Sequence, residues 1–160
     1  MGVIGGGQEV EHQHTGRRAI SMTAGLLPAV DIRTFHLTDD ELPTPDAGPE
    51  EWVRVIGVPQ DPVPHFVLLG DPQSFYPQPL LMGLDFAYSA SAKIGGLASS
   101  MGEGNVLFMD DTYHTSGLVG ATFSGNLVLD TVVAQGCRPV GEPLSVTSSE
   151  RNTLVELNER

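Results

Sequence analysis

The chain of 160 residues has room for one ordinary domain, since domains commonly run to about 100–150 residues. Its 20 acidic and 8 basic residues give a formal net charge of -12, which repels nucleic-acid phosphates and anionic membrane surfaces. No apolar run reaches the roughly 18 residues of a membrane-spanning helix, and the single cysteine, Cys137, excludes an internal disulfide. We therefore expect a cytoplasmic protein with no nucleic-acid partner and no membrane partner.

The N-terminal part of the sequence predicts two strands and then a loop. Apolar residues alternate along residues 18–27, and residues 30–37 form a second strand-like run after a very short turn, so these two runs are expected to pair antiparallel. Residues 38–64 are rich in proline and acidic residues, which favours an exposed loop with a short anchoring strand at residues 52–58. This acidic loop is a candidate docking surface for a basic partner protein.

A β-α-β unit is predicted next. Residues 65–72 are a continuous apolar run closed by a turn signal, which is typical of a central strand buried on both faces. Pro79 suits the first turn of a helix expected over residues 78–89, which carries apolar residues along one face. The apolar run at residues 92–97 then completes the unit as a second strand.

The C-terminal part predicts an antiparallel meander. Its three strand-like runs, residues 105–110, 117–124 and 126–134, are joined by gaps short enough for hairpins. Two further short elements are expected at residues 144–147 and 151–157. With 19 glycines and 12 prolines favouring turns over long helices, the expected fold class is α/β in the broad sense (α+β), with a mixed, largely antiparallel sheet and one or two helices.

The strongest candidate for ligand chemistry is the turn at residues 134–141. Here a strand-like run ends in a glycine, the thiol of Cys137, the guanidinium of Arg138 and a proline. Arginine suits recognition of a carboxylate because its planar fork donates two parallel hydrogen bonds. The alternative is that Arg138 braces the turn through backbone carbonyls, and a lone cysteine is more often a small buried side chain than a nucleophile.

A second candidate is the glycine pair in residues 94–100. Gly95 and Gly96 let backbone approach a ligand closely and expose amide donors to an anionic group. The stretch lacks both the Gly-Lys-Ser/Thr ending of a P-loop and the GxGxxG spacing of a dinucleotide site. A tight strand-to-turn connection is the alternative interpretation.

A metal-dependent hydrolase is a third possibility, because Asp110, Asp111 and His114 form an Asp-Asp-x-x-His pattern in an expected hairpin loop. A solvated turn explains the same residues. The chain contains no Gly-x-Ser-x-Gly nucleophile elbow. We expect no metal, no cofactor and no enzymatic activity.

Several stretches of the chain resemble the FIST family, a sensory module of bacterial signalling proteins and of some eukaryotic F-box proteins. The three most specific stretches are residues 67–75 (VLLGDPQSF), 95–99 (GGLAS) and 132–143 (VVAQGCRPVGEP), with weaker similarity at residues 3–11 and 146–157. By this resemblance residues 1–125 are part of a FIST N-terminal domain and residues 126–160 begin a FIST C-terminal domain. The chain is then a fragment of a larger two-half module, truncated at both ends.

The resemblance implies a small-molecule ligand, with amino acids or their derivatives as the usual proposal, and transmission of the bound state to a signalling protein partner. The expected ligand-binding residues are Asp71, Gly95, Gly96, Ser99, Gln135, Cys137 and Arg138. Some bacterial members of the family are associated with haem and nitric oxide, but no haem histidine is identified in this chain. The F-box segment is absent as well, and an interaction adaptor of the F-box/FIST type remains the alternative function.

Overall fold

A computed structural model describes residues 2–5, 22–98, 104–132, 141, 144–150 and 153–158 of the chain. The elements in chain order are β1 (Gly2–Gly5), β2 (Met22–Gly25), β3 (Val30–Leu37), a 3-10 turn (Asp39–Glu41), α1 (Pro49–Ile56), β4 (His65–Gly70), α2 (Pro77–Ala87), β5 (Lys93–Leu97), β6 (Leu107–Met109), β7 (Thr112–His114), β8 (Leu118–Gly125), β9 (Ser145–Glu150) and β10 (Thr153–Asn158). Two helices with mixed, mostly antiparallel sheets confirm the expected α+β class.

The main sheet has four strands in the order β3-β8-β4-β5. Strands β4 and β5 are parallel, and α2 connects them, which confirms the predicted β-α-β unit. Strand β4 lies between β8 and β5, so its continuous apolar sequence is that of an interior strand, as expected. Strand β5 lies at one end of this order.

The predicted pairing of residues 18–27 with residues 30–37 is wrong. Strand β2 pairs with β1, whereas β3 pairs antiparallel with β8 over eight consecutive residues, from Val30 opposite Gly125 to Leu37 opposite Leu118. A ladder of this length matches the apolar faces of two whole strands. Strand β3 therefore pairs with residues 81 to 95 positions away along the chain and not with the neighbouring segment.

The short strand predicted at residues 52–58 is also wrong, because residues 49–56 form helix α1. Pro49 occupies the first turn, where proline costs no hydrogen bond, and Gly57 ends the helix in the left-handed conformation with φ of 74°. Trp52 and Ile56 lie four residues apart on one face, and both are buried. The acidic residues of this segment are on the outside of a core helix.

The predicted three-stranded meander is wrong in its connections. Strands β6 and β7 pair with each other within the first of its runs and the turn that follows, and β8 joins the main sheet instead. Residues 126–132 are not a strand, and residues 133–134 lie outside the described residues. The two short elements expected further on are confirmed as β9 and β10, which pair antiparallel.

Both helices pack on one face of the main sheet. Alternate residues of β3 and β4, among them Phe35, Phe66 and Leu68, point toward buried residues of α1 and α2. On the opposite face, Thr34 and His36 of β3 contact the β6–β7 hairpin. Within the described ranges, no helix is long and apolar enough to cross a bilayer.

Candidate ligand site

A cavity of about 260 Å³ lies between helix α2 and the two parallel strands β4 and β5. The apolar residues of its lining are Leu68, Pro77, Leu80, Leu81, Ile94, Leu97 and Leu118. Every residue of β5, from Lys93 to Leu97, lines the cavity, so the cavity extends along the strand. A concave, largely apolar site with a few polar groups is the usual form of a small-molecule pocket.

The predicted residues Gly95 and Gly96 both line this cavity. A side-chain carbon at Gly95 would overlap the carbonyl oxygen of Leu68 on β4, so this position requires glycine. Space is open around Gly96. Gly96 therefore leaves the backbone of β5 open beside the cavity, whereas Gly95 is required by its close approach to β4.

Lys93 is the charged residue of the cavity lining. Its side chain is only 9% exposed, and its Nζ donates to the carbonyl oxygen of Tyr88 at 2.8 Å and contacts Asp85 Oδ1 at 2.8 Å. The Asp85 side chain is 72% exposed. The ammonium of this nearly buried side chain is thus held by a carbonyl and by a carboxylate that faces solvent.

Asp71 follows Gly70 at the carboxyl end of β4, but its side chain is used within the fold. Ser74 Oγ donates to one carboxylate oxygen, and Asn105 Nδ2 donates to the other at 2.7 Å. These two hydrogen bonds hold the pKa of the Asp71 carboxyl below its ordinary value. Ser74 in turn accepts from the backbone N–H of Gly117, so Asp71 ties the end of β4 to the segments that enter β6 and β8.

The remaining predicted site residues are Ser99, Gln135, Cys137 and Arg138, and all four lie outside the described residues. The predicted meeting of Arg138 with Gly95 and Gly96 therefore stays a prediction. Of the seven predicted residues, two line the cavity and Asp71 directly follows Gly70, which also lines it.

Two residues of the predicted metal cluster, Asp110 and His114, have other partners. The His114 ring stacks on the His36 ring with centroids 3.8 Å apart, and the Asp110 carboxylate accepts from Thr34 Oγ1 at 2.7 Å. These contacts attach the β6–β7 hairpin to β3. Throughout the described part of the chain, no three potential metal ligands converge.

The segment proposed as a docking loop, residues 38–64, contains part of the core. Trp52, Ile56 and Val58 each have 4% exposure and pack in the main apolar cluster. Its acidic residues are in part structural, since the Glu41 carboxylate accepts from both the backbone N–H and the hydroxyl of Thr38 at 2.8 Å. Deleting this segment would remove core residues, so the deletion cannot separate adaptor function from folding.

Sequence reasoning missed Lys93, Pro77 and Leu81 as members of the site. A usable signal for Lys93 was that it is the only lysine in the chain and opens the strand that carries the glycine pair. Pro77 and Leu81 are four residues apart on one side of α2, which is the side next to β5. Their role depends on where the helix crosses the sheet, and local sequence does not encode that position.

The geometry thus defines an α+β domain with a cavity between helix α2 and strands β4 and β5. A family model described as the FIST N domain matches residues 2–160, and the chain belongs to this family. The family is one of small-ligand sensory domains in signal transduction. The division into an N-terminal part at residues 1–125 and a C-terminal part at residues 126–160 stays a prediction.

Three relatives from mycobacteria show similar sequence. The uncharacterized proteins Rv0628c and MT0656, from two strains of Mycobacterium tuberculosis, are each 31% identical to this chain over 170 aligned residues, which cover all of this chain and 39% of each relative. The uncharacterized protein Mb0898c of Mycobacterium bovis is 35% identical over 96 residues, covering 59% of this chain and 25% of the relative. The chain thus spans 39% of the length of the first two relatives. No solved structure matches it.

Proposed function

We propose that the chain is an intracellular sensory module and that the cavity between α2 and β5 binds its small ligand. The observation that carries the proposal is the coincidence of the predicted glycine pair with this cavity in a FIST N domain. Amino acids and their derivatives are the first ligand class to test. Binding then changes the contacts that this domain makes with a signalling protein partner.

The polarity of the cavity lining supports this choice of ligand. The cavity combines apolar walls with the ammonium of Lys93 and with backbone groups of β5, so a ligand with an apolar body and one anionic group would satisfy both parts. The volume of about 260 Å³ is slightly below the usual range of roughly 300–1,000 Å³ for ligand pockets. A small ligand is therefore favoured over a large cofactor.

Arg138 remains a proposed second anion contact, together with Ser99, Gln135 and Cys137. The support is the family resemblance of the segments that carry these residues. The variant Arg138→Ala tests the proposal, because a ligand bound equally by this variant and by the wild type does not use the guanidinium.

A thermal-shift screen tests the proposed function. The wild-type protein is melted with a panel of amino acids, their derivatives and small carboxylates, and a ligand at 100 times its Kd stabilises the folded state by about 2.7 kcal/mol. The same panel is then applied to Leu81→Trp, which places an indole in the cavity from the α2 side. We expect compounds that raise the Tm of the wild type and leave that of Leu81→Trp unchanged.

Met82→Trp is the matched control. Met82 neighbours Leu81 on the same helix, is 67% exposed, and does not line the cavity, so this variant should respond to ligand as the wild type does. A compound that stabilises all three proteins equally binds elsewhere. If every active compound behaves in that way, the cavity is not the ligand site.

A further inference from the structure

Strand β5 has an open outer edge. Among the residues that the structure describes, β5 pairs with β4 and with no other strand. The N–H of Phe66 donates to the carbonyl of Ala92, and the N–H of Ala98 donates to the carbonyl of Gly70, each at 2.8 Å. Alternate residues of a parallel ladder bond to the same neighbour, so the N–H and C=O groups of Lys93, Gly95 and Leu97 point away from β4.

All five residues of this open-edged strand belong to the cavity lining. Pro77 and Leu81 of α2 form one wall, and β5 forms the other from Lys93 to Leu97. Gly95 and Gly96 present no side chain that would hold another backbone away from β5. A groove between a helix and an unpaired strand edge is suited to an extended peptide, which adds as a strand through its backbone and places alternate side chains in pockets.

Lys93 adds charge complementarity at one end of the groove. An ammonium group has three donors, and the described contacts of Lys93 use two of them, to Tyr88 and Asp85. Asp85 is mostly exposed and hydrated, so a ligand carboxylate can share the ammonium with it or replace it. Because Lys93 is the first residue of β5, a peptide whose C-terminal carboxylate lies beside it runs antiparallel to β5.

We propose that the ligand of this cavity is a short peptide with a free C-terminal carboxylate, bound in an extended conformation along β5, with an aliphatic side chain against Leu81 and Leu97 and its carboxylate on Lys93. The inference rests on the proposed ligand-sensing function and names the ligand class. A free amino acid fills only the Lys93 end of the groove. A peptide also uses the outward-facing backbone groups of Gly95 and Leu97.

The experiment uses N-acetylated tetrapeptides from a positional-scanning library, each prepared as the free acid and as the C-terminal amide, with free leucine as the small-ligand reference. Binding to the full chain is measured by isothermal titration calorimetry. We expect the best free acids to bind at least about tenfold more tightly than their amides and than free leucine. N-methylation of the peptide nitrogen opposite Gly95 should weaken binding by a similar factor, because it removes a strand hydrogen bond.

Lys93→Met tests the charged contact. This variant keeps the apolar stem of the side chain, and it should bind acid and amide equally, whereas Asp85→Asn should keep the preference for the acid. The N-methylated peptide gives an independent answer on wild-type protein if Lys93→Met does not fold.

The outcomes separate the ligand class from the proposed function. Free leucine that binds as tightly as the best peptide, in a manner blocked by Leu81→Trp, overturns the peptide inference and leaves the sensory function standing. Equal affinities of acid and amide on the wild type also overturn it, since they exclude Lys93 as the anchor. If Leu81→Trp weakens the binding of no peptide and of no amino acid, both proposals fail.

Discussion

Asp71 shows how a residue near the cavity serves the fold. Its side chain is 3% exposed and accepts from Ser74, Asn105 and the backbone N–H of Gln73. Its own N–H donates to the Gly117 carbonyl at 2.9 Å, and its carbonyl accepts from the N–H groups of Ser74 and Phe75. The residue therefore positions the carboxyl end of β4, next to the cavity, without lining the cavity.

Asp71→Asn should lower the Tm at neutral pH, because the amide replaces a carboxylate that accepts hydrogen bonds from Ser74, Asn105 and the Gln73 N–H. The pKa of Asp71 is lowered in the folded protein, so its contribution is present above the ordinary aspartate pKa of about 3.9 and is lost as the pH falls through the folded-state value. The difference in Tm between wild type and variant should therefore shrink below about pH 4. Melting from pH 7 to pH 2.5 measures this, with the exposed Asp46→Asn as control. A difference that does not change with pH would contradict this role of the carboxylate.

Tyr88 links α2 to the segment after α1. Its hydroxyl donates to the Val58 carbonyl at 2.6 Å, and its ring packs edge-on against Phe66 with centroids 5.1 Å apart. Burial raises the pKa of Tyr88 to about 12. The hydroxyl is therefore neutral in the folded protein well above the pH at which a free tyrosine ionises.

Tyr88→Phe should reduce the free energy of unfolding by about 1 kcal/mol at pH 7, through the lost hydrogen bond and the unpaired Val58 carbonyl. Because the folded pKa is raised from 10.0, the hydroxyl's contribution is complete below pH 10 and is lost as the pH rises toward 12. Urea unfolding at pH 7 and pH 11 measures both effects, and the gap between wild type and variant should narrow at the higher pH. A gap that widens would contradict the raised pKa itself, because a folded-state pKa above the unfolded value requires the gap to narrow.

At the scale of elements, the contact between the two helices is formed by Gly83 of α2 and Trp52 of α1. A side-chain carbon at Gly83 would overlap the indole of Trp52, so glycine allows the helices to approach closely. Both residues are buried. The position of α2 over the sheet, and with it one wall of the cavity, depends on this contact.

Gly83→Ala tests the helix contact by the sign of its effect. Alanine in a helix is worth about 1 kcal/mol over glycine, whereas overpacking a core costs about 1–3 kcal/mol. We expect net destabilisation in urea unfolding, and we expect the substitution to cost less in a Trp52→Phe background, where the smaller ring makes room. A stabilised Gly83→Ala protein would contradict the packing described here.

Some of the helices and strands could be predicted from local sequence patterns and others could not. The β-α-β unit was predictable because its apolar strand, its helix and its second strand each carry their signal within about ten residues. Helix α1 was missed because prolines flank it, although Pro49 and the spacing of Trp52 and Ile56 are helix signals. The place of β8 between β3 and β4 depends on pairings with two distant segments, and no local pattern contains that information.

At the scale of the whole molecule, the site was predictable only in part. Gly95 and Gly96 were identified because adjacent glycines let a backbone approach a ligand closely, although a tight strand-to-turn connection explained the same pair. Lys93 and Leu81 become site residues through the crossing of α2 over β5, which is a property of the packed fold.

The most direct test of ligand binding between α2 and β5 is a chemical-shift map of backbone amides in the isotope-labelled chain, titrated with the strongest compound from the thermal-shift screen. We predict the largest shifts at residues 93–97 of β5 and at residues 78–84 of α2. Little change is expected at Phe108 and Tyr113, which lie on the outer side of the β6–β7 hairpin. Shifts concentrated at the hairpin, with those of β5 and α2 unchanged, would contradict the account.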